Sequence, residues 1–238
     1  MNNRNSNILM YLFSAIAGAF FIGCFLSSCG KGSGILPAGS NIQYQVVNLS
    51  PDITPVDLYI NFVKRNTSVS FFYPNPSGYF SLTTIDTPFQ IRRSIDPGVS
   101  VFSLDTVLKN NVRYTLFVTG YFANRSIIPI LTVDTSALPT VGRGKVRFVN
   151  TSPGSGGLDV SANGTIAFTN AIYPSVSKFK ELPAGNYDFK VFATGSTNPI
   201  FDFPGVTVQD GKIYTMYTRG IVGRIDSAAF GLGVINNN

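Results

Sequence analysis

The chain has 238 residues, a formal net charge of +6, and neither His nor Trp. Lack of His removes the commonest general base and metal ligand. Its basic residues never run longer than the pairs Lys64-Arg65 and Arg92-Arg93, which excludes the concentrated basic stripe of a nucleic-acid-binding surface.

Composition points to an all-β protein. Phe (20) and Tyr (11) are abundant, whereas Glu occurs once, at Glu181. Strands favour aromatic and β-branched residues, and helix surfaces favour Glu, Lys, Ala and Gln. Gly (23) and Pro (14) supply turns.

Ile8 to Leu26 is almost entirely apolar and follows a thin positive region at Arg4. It ends in Leu26-Ser27-Ser28-Cys29, an aliphatic residue and two small residues before Cys. This resembles a bacterial lipoprotein signal. The resemblance implies cleavage between Ser28 and Cys29, so that residues 1–28 are a signal peptide and Cys29 carries the lipid. Each buried methylene of such an anchor contributes about 0.8 kcal/mol. An uncleaved membrane span is the alternative reading of the same run. Gly30 stands where an Asp would retain an enterobacterial lipoprotein at the inner membrane, which favours the outer membrane. Lys31-Gly32-Ser33-Gly34 replaces the acidic cluster that sends some Bacteroidota lipoproteins to the cell surface, which favours the periplasmic face. Residues 29–41 then read as the lipidated Cys and a flexible tether. No Cys lies beyond residue 29, so the folded part holds without disulfides.

Residues 42–136 read as a first domain of about seven short strands. Tyr44-Gln45-Val46-Val47 opens it, and Asn48-Leu49-Ser50-Pro51 breaks the strand. Val56, Leu58 and Ile60 share one face, with Asp57 on the other. Thr67–Tyr73 reads as a further strand, and Pro74–Gly78 as a turn. Phe89–Arg92, Val99–Phe102, Tyr114–Thr119 and Ile127–Val133 complete the set.

Residues 144–238 repeat this plan. Asn150, Ser152, Pro153, Asp159 and Asn163 follow Asn48, Ser50, Pro51, Asp57 and Asn61 at a constant offset of 102. Tyr214-Thr215 and Gly220 follow Tyr114-Thr115 and Gly120 at an offset of 100. A period near one domain length indicates a tandem duplication. The pattern Lys145-Val146-Arg147-Phe148-Val149 predicts Val146 and Phe148 inside, with Lys145 and Arg147 in water. Asn163-Gly164 predicts a two-residue hairpin turn. Val206 to Tyr214 reads as a second hairpin. The short linker from Asp134 to Gly144 predicts domains that touch. Two tandem immunoglobulin-like β-sandwiches are therefore expected.

Val146–Pro153, Leu158-Asp159-Val160, Asn163-Gly164, Leu182-Pro183-Ala184-Gly185 with Tyr187, and Asp210-Gly211-Lys212 with Tyr214-Thr215 resemble the family catalogued as domain of unknown function 4397. The first repeat carries the pattern more weakly. The resemblance implies a secreted or lipid-anchored bacterial protein and no established activity.

The carboxylates that recur, Asp57 and Asp159, read as turn or strand-edge hydrogen-bonding residues rather than as a glycosidase pair. No calcium-loop spacing of Asp and Asn is present. No cofactor or metal is expected, and a hydrolase is the least favoured function. The most aromatic stretch is Phe71 to Phe80, and Tyr73, Asn75 and Tyr79 are its candidate contact residues. Tyr121-Phe122 and Tyr173 come second. These aromatics serve equally as packing in a β-core or between the repeats. Asp105-Thr106-Val107 and Asp226-Ser227-Ala228 resemble the O-glycosylation pattern of Bacteroidota periplasmic proteins. The expected role is a non-catalytic binding or structural module of the cell envelope, with an envelope protein as partner. A glycan-binding lipoprotein serving polysaccharide uptake is the alternative.

Overall fold

The structure is a computed structural model that describes residues 41–66, 68–82 and 86–238. Ser28, Cys29 and the expected signal peptide lie outside the described residues. The described chain forms seventeen strands and no helix.

The first repeat contains β1 (Ile42–Asn48), β2 (Val56–Ile60), β3 (Val63–Lys64), β4 (Phe80–Leu82), β5 (Phe89–Arg93), β6 (Asp96–Leu104), β7 (Arg113–Thr119) and β8 (Ile128–Val133). One sheet runs β4-β1-β7-β8 and the other β3-β2-β5-β6. Their facing sides bury Tyr44, Val46, Val56, Leu58, Ile60, Phe89, Ile91, Leu116 and Val118. The second repeat contains β9 (Arg143–Asn150), β10 (Gly157–Ala162), β11 (Thr165–Ile172), β12 (Ser175–Val176), β13 (Lys180–Pro183), β14 (Gly185–Ala193), β15 (Pro199–Val208), β16 (Ile213–Arg219) and β17 (Gly231–Asn236). Its sheets run β12-β9-β16-β17, with β13 also on β9, and β11-β10-β14-β15. Val146, Phe148, Leu158, Val160, Phe189, Val191 and Met216 fill its core.

Both repeats are thus β-sandwiches of the same topology, with β1 parallel to β7 and β9 parallel to β16. That parallel pairing distinguishes them from sandwiches whose sheets are antiparallel throughout. They share a tyrosine corner with immunoglobulin-type domains. Tyr114 accepts a hydrogen bond from the Lys109 N–H at 2.8 Å, and Tyr214 from the Gln209 N–H at 3.2 Å. Each bond pins the loop that carries the chain from one sheet to the other. The repeated Gly120 and Gly220 have φ of +92° and +67°, and an added Cβ would lie 2.0 Å from the Ser126 carbonyl oxygen or 2.1 Å from that of Ala229.

Three local expectations change. Of the expected strand 67–73, the described residues 68–73 pair through a single bridge of Phe71 with Val56. Val206 to Tyr214 is a crossover rather than a hairpin, because β15 pairs with β14 while β16 pairs with β9 and β17. Arg147 is buried, at 3% exposure. Its face of β9 meets the other repeat instead of water, so β9 has two buried faces.

The repeats touch along a seam. Val47, Leu49 and Phe117 of the first repeat pack with Val149, Tyr217 and Ile235 of the second. The rings of Phe117 and Tyr217 lie 5.4 Å apart. Polar groups complete the seam around Asp134. Its carboxylate pairs with Arg147 and accepts hydrogen bonds from Tyr79 at 2.6 Å and from Thr115 and Thr132. Arg147 also donates to Thr215 at 2.9 Å and to the Val133 carbonyl at 2.7 Å. Buried ions and hydroxyls need this degree of satisfaction to be tolerated.

Candidate functional site

The repeated Asn-x-Ser-Pro motif shapes the surface through its side chains. Asn48 Nδ2 donates to the Phe71 carbonyl at 3.3 Å, and Asn48 Oδ1 accepts from the Ser50 N–H. Asn150 does the same with the Ala171 carbonyl, at 2.8 Å, and the Ser152 N–H. The segment that follows is held from its far end. Ser77 N–H donates to the Val46 carbonyl at 2.9 Å, and Ser77 Oγ accepts from the Val46 N–H at 3.0 Å. Ser177 repeats both bonds with Phe148. The Asn bonds at one end and the Ser bonds at the other thereby fix residues 71–77 and 171–177 against β1 and β9.

Between segment 71–77, the edge of β4 and residues 65, 66 and 68–70 opens a groove of about 630 Å³. Phe71 and Phe80 stack with centroids 6.2 Å apart, and Phe72 is 53% exposed beside them. Asn66, Ser68, Ser70, Asn75, Ser77 and Ser81 supply hydroxyl and amide groups, and Arg65 a cation. Arg65 Nη2 donates to the Ile60 carbonyl at 3.4 Å, while its buried Nε–H has no partner among the described residues.

Asp57 anchors the opposite wall. It accepts from Lys64 at 2.8 Å and from Asn66 Nδ2 at 2.7 Å, and Asn66 also donates to the Val69 carbonyl. Burial alone would raise this carboxyl; the bonds from Lys64, Asn66 and Ser70 outweigh it and hold it below the ordinary range. Asp159 is lowered first by the Asn170 N–H, at 2.7 Å, and also by Gly195 and Thr194. Asp52 accepts from the Phe122 and Ala123 N–H groups and so secures the loop after β7. Among the described residues no group of three or more carboxylates or thiols gathers to hold a metal.

The sequence profile of the family described as Domain of unknown function (DUF4397) matches residues 43–161 and 144–238. The chain belongs to this family. Two tandem copies of the domain account for the two sandwiches. No curated protein matches the chain.

The second DUF4397 copy carries the counterpart groove, smaller at about 290 Å³, lined by Phe168, Asn170, Ser175, Ser177, Lys178 and Lys180 among others. Lys180 stands at the position of Phe80 in the repeat, and its Nζ lies 5.6 Å over the Phe168 ring. The two DUF4397 grooves are alike in construction and different in chemistry.

Tyr73, Asn75 and Tyr79 do not converge on one site. Asn75 is exposed on the rim of the first groove. Tyr73 is half-buried and lies within electrostatic reach of Arg219, Arg224 and Asp226 of the second repeat; burial raises its hydroxyl pKa. Tyr79 belongs to the seam through its bond to Asp134, and burial raises it strongly. Tyr173 occupies the mirror position of Tyr73, within reach of Thr119 and Tyr121 of the first repeat. Sequence reasoning missed Arg65, Asn66 and the serines around Phe71. The signal was the alternation of Ser68 and Ser70 with Val69 and Phe71, which read as a strand. Of the glycosylation patterns, Asp105, Asp226 and Ser227 are exposed and Thr106 is half-buried.

Proposed function

We propose that this protein is a lipid-anchored, non-catalytic module of the bacterial outer membrane. Cys29 holds it on the periplasmic face, and the groove of the first DUF4397 copy receives an envelope protein. One observation carries the reading. Asn48, Asp57 and Ser77 hold the groove walls in place, so the repeated polar residues are spent on building a surface. The β4 edge beside the groove offers backbone groups to an added strand.

A cross-linked pull-down of the full-length tagged protein from native membranes tests it. A defined envelope partner is expected, lost when Cys29 becomes Ala and weakened by Phe72→Ala with Asn75→Ala. Capture that survives both changes would sink the reading.

Glycan binding is the second reading, favoured by an exposed ring at Phe72 beside the rim of Ser68, Ser70 and Ser81. It predicts an upward thermal shift with oligosaccharides that Phe72→Ala abolishes.

A further inference from the structure

The seam has an internal symmetry. Phe117 and Tyr217 are 100 residues apart and occupy matching places, Phe117 opposite Val47 on β1 and Tyr217 opposite Val149 on β9. They pack against each other, and Val47 and Val149 lie in the same cluster. A residue that meets its own counterpart marks a two-fold, isologous contact.

The polar shell follows the same rule. Gln45 Nε2 donates to Thr115 at 2.8 Å, and Arg147 Nε donates to Thr215 at 2.9 Å. Asp134 N–H donates to the Arg113 carbonyl, and Asn237 N–H to that of Ile213, both at 2.8 Å. Asp134 accepts from Thr115, and Asn237 Nδ2 donates to Thr215 at 2.8 Å. The symmetry breaks at charge. The first repeat offers Asp134 and Gln45, and the second offers Asn237 and Arg147.

We propose that the seam is an isologous dimer interface closed within one chain, and that Asp134 and Arg147 make each repeat accept the opposite repeat and reject a second copy of itself. Two first repeats joined this way would bury two Asp134 carboxylates against Gln45 in place of Arg147, leaving each with only the half-buried Arg113, which in this chain spans the seam to the Asn237 carbonyl at 2.6 Å. Two second repeats would bury two Arg147 guanidinium groups against Asn237 with no facing anion. The second arrangement leaves two buried cations unpaired, and the first deprives two buried carboxylates of the Arg147 fork, which is the repulsive element that specificity requires. The partner this surface fits is the complementary repeat, from the same chain or from a second copy in a swapped dimer. Within one chain the linker keeps the correct partner at high effective concentration.

The test cuts the full-length, detergent-solubilised chain at a protease site inserted between Leu138 and Pro139, where Leu138 is 72% exposed. Native mass spectrometry should find one N-terminal and one C-terminal half in a single 1:1 complex. With Asp134→Asn and Arg147→Gln together, like-with-like pairs should appear beside the mixed one. Two separate monomers from the cut wild-type chain, or like-with-like pairs as abundant as in the neutral variant, would overturn the proposal. A second measurement does not depend on that variant folding. Uncut chains carrying Asp134→Arg or Arg147→Asp each repel at their own seam, but when mixed they place opposite charges at both seams of a swapped pair. A 1:1 complex of the two chains, absent from either alone, is expected. Mixtures that show no such complex would overturn the inference.

Discussion

Arg147 and Asp134 form an ion pair with 4% and 0% of their side chains exposed. Three further bonds, to Thr215, Thr132 and the Val133 carbonyl, fix the guanidinium. A pair buried this fully is expensive to break, because the survivor keeps its charge and loses its partner. Arg147→Ala should cost about 3–5 kcal/mol in chemical denaturation. Replacing both members by apolar residues of similar volume, Arg147→Met with Asp134→Leu, should recover most of that loss. A single change costing under about 1 kcal/mol, the range of an exposed pair, would show that the seam admits water.

The Asn residues of the repeated motif make a parallel case inside each domain. Asn150 is fully buried and joins Ser152, Ser155, Ala171 and Thr218. Asn150→Ala leaves the Ala171 carbonyl and the Thr218 hydroxyl without that partner. Each unsatisfied buried group costs about 1–3 kcal/mol. The variant should unfold at lower denaturant, and amide exchange should quicken in segment 171–177. Asn48→Ala should do the same in segment 71–77. Unchanged protection in both segments would mean that other contacts fix them.

Much of the fold is local in origin, and was legible for that reason. Val56-Asp57-Leu58-Tyr59-Ile60 alternates with the strand period, and Asn163-Gly164 carries its own turn geometry, with φ of +49° and +82°. The seam is not local. Thr115, Arg147 and Thr215 look like a solvent face, because a polar residue opposite a core residue has the same pattern whether water or another domain covers it. The anion that explains Arg147 was counted with the linker. The groove is harder still. Arg65, Phe71 and Phe80 meet only through the pairing of Phe71 with Val56 and of β4 with β1. Tyr73, Asn75 and Tyr79 are near neighbours in sequence, yet one faces the second repeat, one the groove and one the seam.

Asp57 gives stability a pH dependence whose sign is fixed. Its folded carboxyl lies below the ordinary range, since bonds from Lys64, Asn66 and Ser70 outweigh the opposing effect of burial. The unfolded chain therefore takes up the proton first, near pH 3.9 by the approximate reference value. The stabilisation is present above that pH and is lost as pH falls through the folded value. Urea midpoints measured from neutral to acid pH should fall below about pH 4. Asp57→Asn should be less stable than wild type at neutral pH and show a shallower fall in acid. Asp52, Asp159 and Asp226 are also lowered, so some slope should remain. An acid slope identical to wild type would show that Asp57 loses no stabilising bond on protonation.

The hairpin turns of the two repeats differ at one residue. Asn61 and Phe62 sit between β2 and β3 with φ of +48° and +64°, where the second repeat has Asn163 and Gly164. Left-handed backbone costs a residue with a Cβ about 1–2 kcal/mol, and glycine avoids the clash. Phe62 recovers little of this by packing within the chain, since it is 62% exposed. Glycine gives back part of the gain by freeing the unfolded chain. Phe62→Gly should therefore stabilise the first repeat by up to about 1 kcal/mol in chemical denaturation, against the usual direction of a large-to-small change. A loss of stability instead would mean that the Phe62 ring packs on the protein surface firmly enough to offset its strained backbone.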